Sequence, residues 1–179
     1  MRIALDEARV AFNLGEVPIG AVIVAEDGEV LVRAHNLRET AYDATAHAEL
    51  IAIRVACEKL GRWRLTGCTL YVTIEPCPMC AGAIVNSRLT RVVYGAPDAK
   101  AGACESIYNI PGNPNLNHRP DVTAGVLEEE CRGIMREFFA MRRRQRRAEK
   151  EAEATRPPQP RKLGSSPRGE PNVRQGLCR

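Results

Sequence analysis

At 179 residues the chain fits one ordinary domain with little to spare, and 44% hydrophobic residues are enough for a packed core. No apolar run reaches the ~18 residues a membrane span needs, and the start Met1-Arg2-Ile3-Ala4-Leu5-Asp6-Glu7 mixes in too much charge for a signal peptide. A cytoplasmic protein without membrane contact is therefore expected. The net charge of +4 is unevenly spread: residues 141–179 carry 12 Lys and Arg against 4 Glu, and residues 1–140 carry 14 basic and 18 acidic side chains. A basic end on a mildly acidic body suits either a polyanionic partner such as nucleic acid or a solubilising tail.

Residues 2–14 have helical spacing of Leu5, Ala8, Ala11 and Phe12, with Gly15 as the stop. Two β-rich runs, 19–25 and 30–32, flank Asp27-Gly28 and predict a hairpin. A second helix is expected from about Ala46 to Leu60, capped by Thr45 or Asp43 and ended by Gly61. The run 69–74 reads as a buried strand, followed by a small-residue helix to about Ser87 and a strand over 91–95. That βαβ order predicts a parallel pair with a right-handed crossover. A long Gly/Pro/Asn-rich loop spans roughly 97–120, a fifth strand is expected over Val122 to Leu127, and a last helix begins near Glu128. Beyond Glu153 little can be buried, which predicts disorder. The expected organisation is an α/β layered domain with a mixed sheet over residues 1–150, then a basic Pro/Arg-rich tail over 151–179.

Seven cysteines cannot all pair internally, and in a cytoplasmic protein they point to metal or catalysis. Pro78 suits the first turn of a helix, which places Cys77 at its N-cap and Cys80 three residues on, both sulfurs on one side. The positive end of the helix dipole favours their thiolates. His47, at the start of the preceding helix, supplies a third ligand, and three protein ligands leave the open position of a catalytic zinc site. Glu49, two residues on, leaves the helix in another direction and is the candidate proton shuttle beside the metal's water. Cys57, Cys68 and Cys131 read as core residues. Alone, Cys-x-x-Cys is a weak signal. Together the fragments match H-x-E…P-C-x-x-C, the known signature of zinc deaminases acting on cytosine or adenine.

Beyond this signature, the chain resembles the bacterial tRNA-specific adenosine deaminases, which turn the wobble adenosine of an anticodon into inosine. The likeness runs from about residue 3 to residue 143. It is carried by Glu16-Val-Pro-Ile-Gly-Ala-Val, Ala46-His-Ala-Glu, Tyr71-Val-Thr-Ile-Glu-Pro-Cys-Pro-Met-Cys, Val92-Val-Tyr-Gly-Ala-Pro-Asp-Ala-Lys, Asn117-His118-Arg119 and Phe138-Phe139-Ala-Met-Arg-Arg. The resemblance implies a cytidine-deaminase-like three-layer α/β/α fold with a five-stranded mixed sheet, one Zn2+ per subunit, a homodimer, and tRNA as the partner. It also implies that Asn36 holds the flipped base, where the sequence alone equally allows a turn cap. Asp98, Lys100 and Asn117 match family positions near the substrate. As bare sequence, the first two read equally as a solvated pair and Asn117 as a turn residue. Phe138 and Phe139 are candidate stacking residues, of which helical spacing sends one to the core. After Gly102-Ala103 this chain has Cys104-Glu105-Ser106 where many relatives have a small residue and Gly-Ser, a departure beside the expected RNA path. Two further readings stay open: a deaminase of a free base or nucleoside, and a non-catalytic zinc-stabilised RNA-binding module.

Overall fold

The computed structural model describes residues 1–155. Its elements run α1 (Arg2–Asn13), β1 (Gly20–Val24), β2 (Val30–His35), α2 (Ala48–Leu60), β3 (Thr69–Ile74), α3 (Pro78–Asn86), β4 (Arg91–Ala96), β5 (Asp121–Thr123) and α4 (Glu128–Ala154). The five strands form one sheet in the order β2-β1-β3-β4-β5. β1 pairs antiparallel with β2 and β3, whereas β3–β4 and β4–β5 are parallel. The sheet is therefore mixed, as the hairpin and the βαβ unit predict. No helix among the described residues is long and apolar enough to cross a membrane.

Helices cover both faces. Ala21 and Ile23 of β1, Leu70 and Val72 of β3, and Val92 of β4 share a core with Ala48, Ala52 and Ala56 of α2 and Ile84 of α3. The alternating residue Gly20 faces the other way: a Cβ there would collide with the backbone of Ala4 and Ala8. That close approach also explains why α1 buries only small residues, Ala4, Ala8 and Ala11. α4 joins α1 on this face, where Cys131 and Met135 pack with Met1, Leu5, Ile74 and Ala96. Phe12 meets Phe138 edge-on, with ring centroids 5.6 Å apart. Sheet between two helical layers is the three-layer α/β/α arrangement.

β2 runs on to His35, past the expected end at Val32, and two further boundaries differ for local reasons. α2 starts at Ala48 with His47 itself at the N-cap. Asp43 instead accepts hydrogen bonds from the Thr45 amide and hydroxyl at 2.7 Å, so those two residues make a turn ahead of the helix. β5 stops at Thr123, well short of Leu127, because Gly125 (φ 79°) and Leu127 (φ 56°) adopt left-handed conformations that turn the chain into α4.

By contact density the chain divides into Met1–Arg144 and Gln145–Arg179. In the second unit the described residues are helical to Ala154, past the composition boundary at 150/151, with Arg147 paired to Glu151 one turn on at 2.8 Å. Of the tail expected to be disordered, residues 151–154 belong to α4, and residues 156–179 lie outside the described ones.

Candidate active site

Two helices start side by side at the C-terminal end of β3, where sheet edges of this kind gather ligands. α3 follows β3 directly, with Cys77 as N-cap and Pro78 in the first turn. α2 packs against α3 and opens at His47. His47 Nδ1 lies 3.7 Å from Cys77 Sγ and 3.5 Å from Cys80 Sγ. These three atoms form the metal-competent cluster found among the described residues. A tetrahedral zinc with ordinary Zn–S and Zn–N bonds spaces a sulfur and a nitrogen ligand by about 3.6 Å, which both His47–sulfur distances match.

The electrostatics agree with that donor set. The Cys80 thiol and His47 hydrogen-bond to Cys77 and pull its pKa down to about 4. Cys80, next to that thiolate and buried, is pushed up. A cation at the cluster's centre is what allows both sulfurs to ionise together.

Glu49 is buried at 3% exposure, and its Oε2 has no hydrogen-bond partner among the described residues. A buried carboxylate oxygen left without a donor is costly in a finished core. That orphaned oxygen singles Glu49 out among the carboxylates of the site. Burial first, then the Cys77 charge, raises its pKa and favours the protonated form.

Asn36, just past β2, is 2% exposed and donates from Nδ2 to Glu16 Oε2 at 3.2 Å. Glu16 is fully buried, and its Oε1 accepts the Thr40 amide at 2.6 Å. The amide of Asn36 is thus fixed in orientation by a carboxylate rather than capping a turn.

The remaining candidates are distributed more widely. Asp98 Oδ1 accepts the Lys100 amide at 2.9 Å and the Ala101 amide at 3.3 Å, an Asx turn. Asn117 Oδ1 accepts from Arg88 Nη1 at 2.9 Å, which ties its loop to the end of α3. Phe138 is a correction: at 3% exposure, between Phe12 and Phe139, it is a core residue with no face for a base. Phe139 is 44% exposed and lines a cleft of about 620 Å³ with Lys100, Arg132, Arg136 and Arg143. Glu105 is held by the Tyr94 hydroxyl, which donates to Oε2 at 2.5 Å, and Cys104 is buried. The departure in this loop therefore points partly inward.

Sequence reasoning missed two residues, Glu16 and Glu75. Glu75, 3% exposed, accepts the amides of Cys104, Glu105 and Ser106 on Oε1 at 2.7–3.0 Å, and the Asp98 amide on Oε2 at 3.0 Å. The Ser106 hydroxyl donates to Oε2 as well. Burial works against ionisation of Glu75, but the Ser106, Asp98 and Glu105 donors outweigh it and hold its pKa below the usual range. The available signal was a carboxylate set between the buried-type strand 69–74 and Pro76-Cys77.

Residues 1–96 match the family model described as the cytidine and deoxycytidylate deaminase zinc-binding region. A tRNA-specific adenosine deaminase of Bacillus subtilis (strain 168) is 52% identical over 148 residues, 83% of this chain and 91% of that protein. A solved structure from work on A-to-I editing by tRNA:A34 deaminases at the wobble position of transfer RNA is 51% identical, with a TM-score of 0.72, covering 75% of this chain and 96% of that one. A guanine deaminase from Bacillus subtilis is more distant, at 34% identity and a TM-score of 0.52 over 79% of this chain and 90% of that one. With its helix-start zinc site and its likeness over most of its length, the chain belongs to the tRNA-specific adenosine deaminases, within the zinc-binding cytidine and deoxycytidylate deaminase family.

Proposed function

We propose that the protein hydrolyses the wobble adenosine of a tRNA anticodon to inosine, consuming water and releasing ammonia. The observation that carries this reading is the buried Glu49 carboxylate, with one oxygen unpartnered, beside the His47–Cys77–Cys80 cluster. Those three residues hold one zinc ion per chain. Zinc in such a site lowers the pKa of a water toward neutrality, which supplies a nucleophile.

Every other step belongs to side chains. Glu49 takes the first proton of the attacking water and delivers it to N1 of the adenine; it then takes the second proton from the new C6 hydroxyl and passes it to the amine, which leaves as ammonia while the C6 carbonyl forms. Burial raises the pKa of Glu49 above that of a free glutamate, which helps it hold a proton that it must later give. Asn36, steadied by Glu16, reads the edge of the flipped base with the amide valences that Glu16 leaves over. Asp98, Lys100 and Asn117 contact neighbouring nucleotides, and Phe139 offers a stacking face in a cation-lined cleft. The base leaves a loop that is already single-stranded, so flipping costs little.

The same reading takes the anticodon loop as the docking site, a homodimer as the working form and the cytoplasm as the compartment. Incubation with bulk tRNA, followed by counting inosine at the wobble position, tests it. Inosine confined to that position is the expected result. Deamination of free guanine or cytosine in place of tRNA would move the protein to the free-base branch of the family.

A further inference from the structure

We infer that Glu75 is a positioning residue: its carboxylate locks the 98–106 loop, and with it Asp98 and Lys100, to the turn that carries Cys77 and Cys80. The inference deepens the tRNA reading above and rests on it for the role of Asp98. Glu75 belongs neither to the metal-competent cluster nor to the lining of the Phe139 cleft. Its two oxygens hold both ends of the loop. Oε1 gathers the far end through three consecutive amides, 104–106, and Oε2 takes the near end through the Asp98 amide and the far end again through the Ser106 hydroxyl. Gly102 lies where the loop passes closest, and a Cβ there would strike the Glu75 carboxylate. A backbone bond from the Ala103 amide to the Pro76 carbonyl, 2.8 Å, runs parallel to this clasp.

The hydrogen bonds of Asp98 follow from that hold. Its amide is fixed by Glu75, and its Oδ1 is used by the Lys100 and Ala101 amides, so the other carboxylate oxygen is the one left for a ligand. The donors on Glu75 are neutral amides and one hydroxyl from a single loop, an anion nest turned inward on a carboxylate. Because Pro76 is the only residue between Glu75 and Cys77, metal turn and RNA-facing loop move as one piece.

Glu75→Gln is a discriminating change. The amide oxygen still serves one end of the loop, while its NH2 opposes a backbone N–H at the other. On zinc-loaded full-length protein with an anticodon stem-loop carrying a wobble adenosine, Glu75→Gln raises KM about tenfold or more, with kcat changed by less than about threefold and zinc at one per chain. In an Asp98→Ala background the same substitution adds less than about twofold, because the group it positions is gone. Additive losses, or zinc and kcat falling together, would make Glu75 a general structural residue and overturn the inference. Ser106→Ala removes one donor at an exposed residue and raises KM about two- to threefold if the clasp matters; an unchanged KM counts against it even if Glu75→Gln fails to fold. Amide hydrogen exchange on both variants gives a reading independent of RNA: protection across 98–106 falls while that of α3 holds. Unchanged protection of the loop overturns the clasp. A wild-type protein that leaves the RNA unmodified overturns the tRNA reading instead, and exchange alone then judges Glu75.

Discussion

The metal corner and the loop facing it are built by different means. His47, Glu49, Cys77 and Cys80 sit at or near the N-termini of two neighbouring helices, where cap geometry and the helix dipole aim them. Asp98 and Lys100 ride on a segment with no regular structure, held through contacts 23 to 31 residues away in sequence by Glu75. The first region follows from local rules. The second exists only once the chain has folded.

That contrast breaks most severely at the metal corner. Cys77→Ala or Cys80→Ala is expected to remove both zinc and deamination, and to lower stability, since the metal pins two helix starts together. Metal analysis with a thermal melt checks it, and normal zinc content in both variants would overturn the ligand assignment.

The adjacent phenylalanines of α4 sharpen the same comparison. Phe138→Ala should cost about 3–5 kcal/mol of stability through the cavity it leaves against Phe12. Phe139→Ala should leave the melting temperature in place and weaken RNA binding by about 1–3 kcal/mol, the loss of one stacking face. Denaturant titration of both and RNA binding by the second separate core from surface; equal destabilisation by the two would contradict the assignment.

The smallest effect is expected at the basic end. Truncation after Gln145 removes Arg146, Arg147, Lys150 and all that follows, and leaves the Met1–Arg144 unit whole. Zinc content should stay the same, tRNA affinity should fall moderately, and the slope of log affinity against log salt should become shallower. Turnover at saturating RNA should hardly change, because phosphate contacts position without touching the base. An unmoved salt slope makes the tail a solvated appendage.

What the sequence discloses follows the same division. Pro78 and the Cys-x-x-Cys spacing announce α3 and its two sulfurs, and Asp27-Gly28 announces the hairpin, because each is a local steric rule. The β5 boundary was missed because left-handed φ at Leu127 is a tertiary demand on a residue with no local preference for it. Helical spacing requires that one of Phe138 and Phe139 be buried, but choosing between them needs the position of Phe12. Glu16 and Glu75 are visible as letters in the motifs, yet their partners, Asn36 and the 98–106 loop, are assigned only by the fold.

The central claim is that a buried carboxylate moves protons beside a metal it does not ligate, and one paired measurement addresses it directly. Wild type and Glu49→Ala are assayed together for zinc content, RNA affinity and single-turnover formation of inosine at the wobble position. The account predicts one zinc per chain and similar affinity in both proteins, with inosine formation slowed at least ~100-fold in Glu49→Ala. Deamination at the wild-type rate, or loss of zinc from the variant, would contradict it.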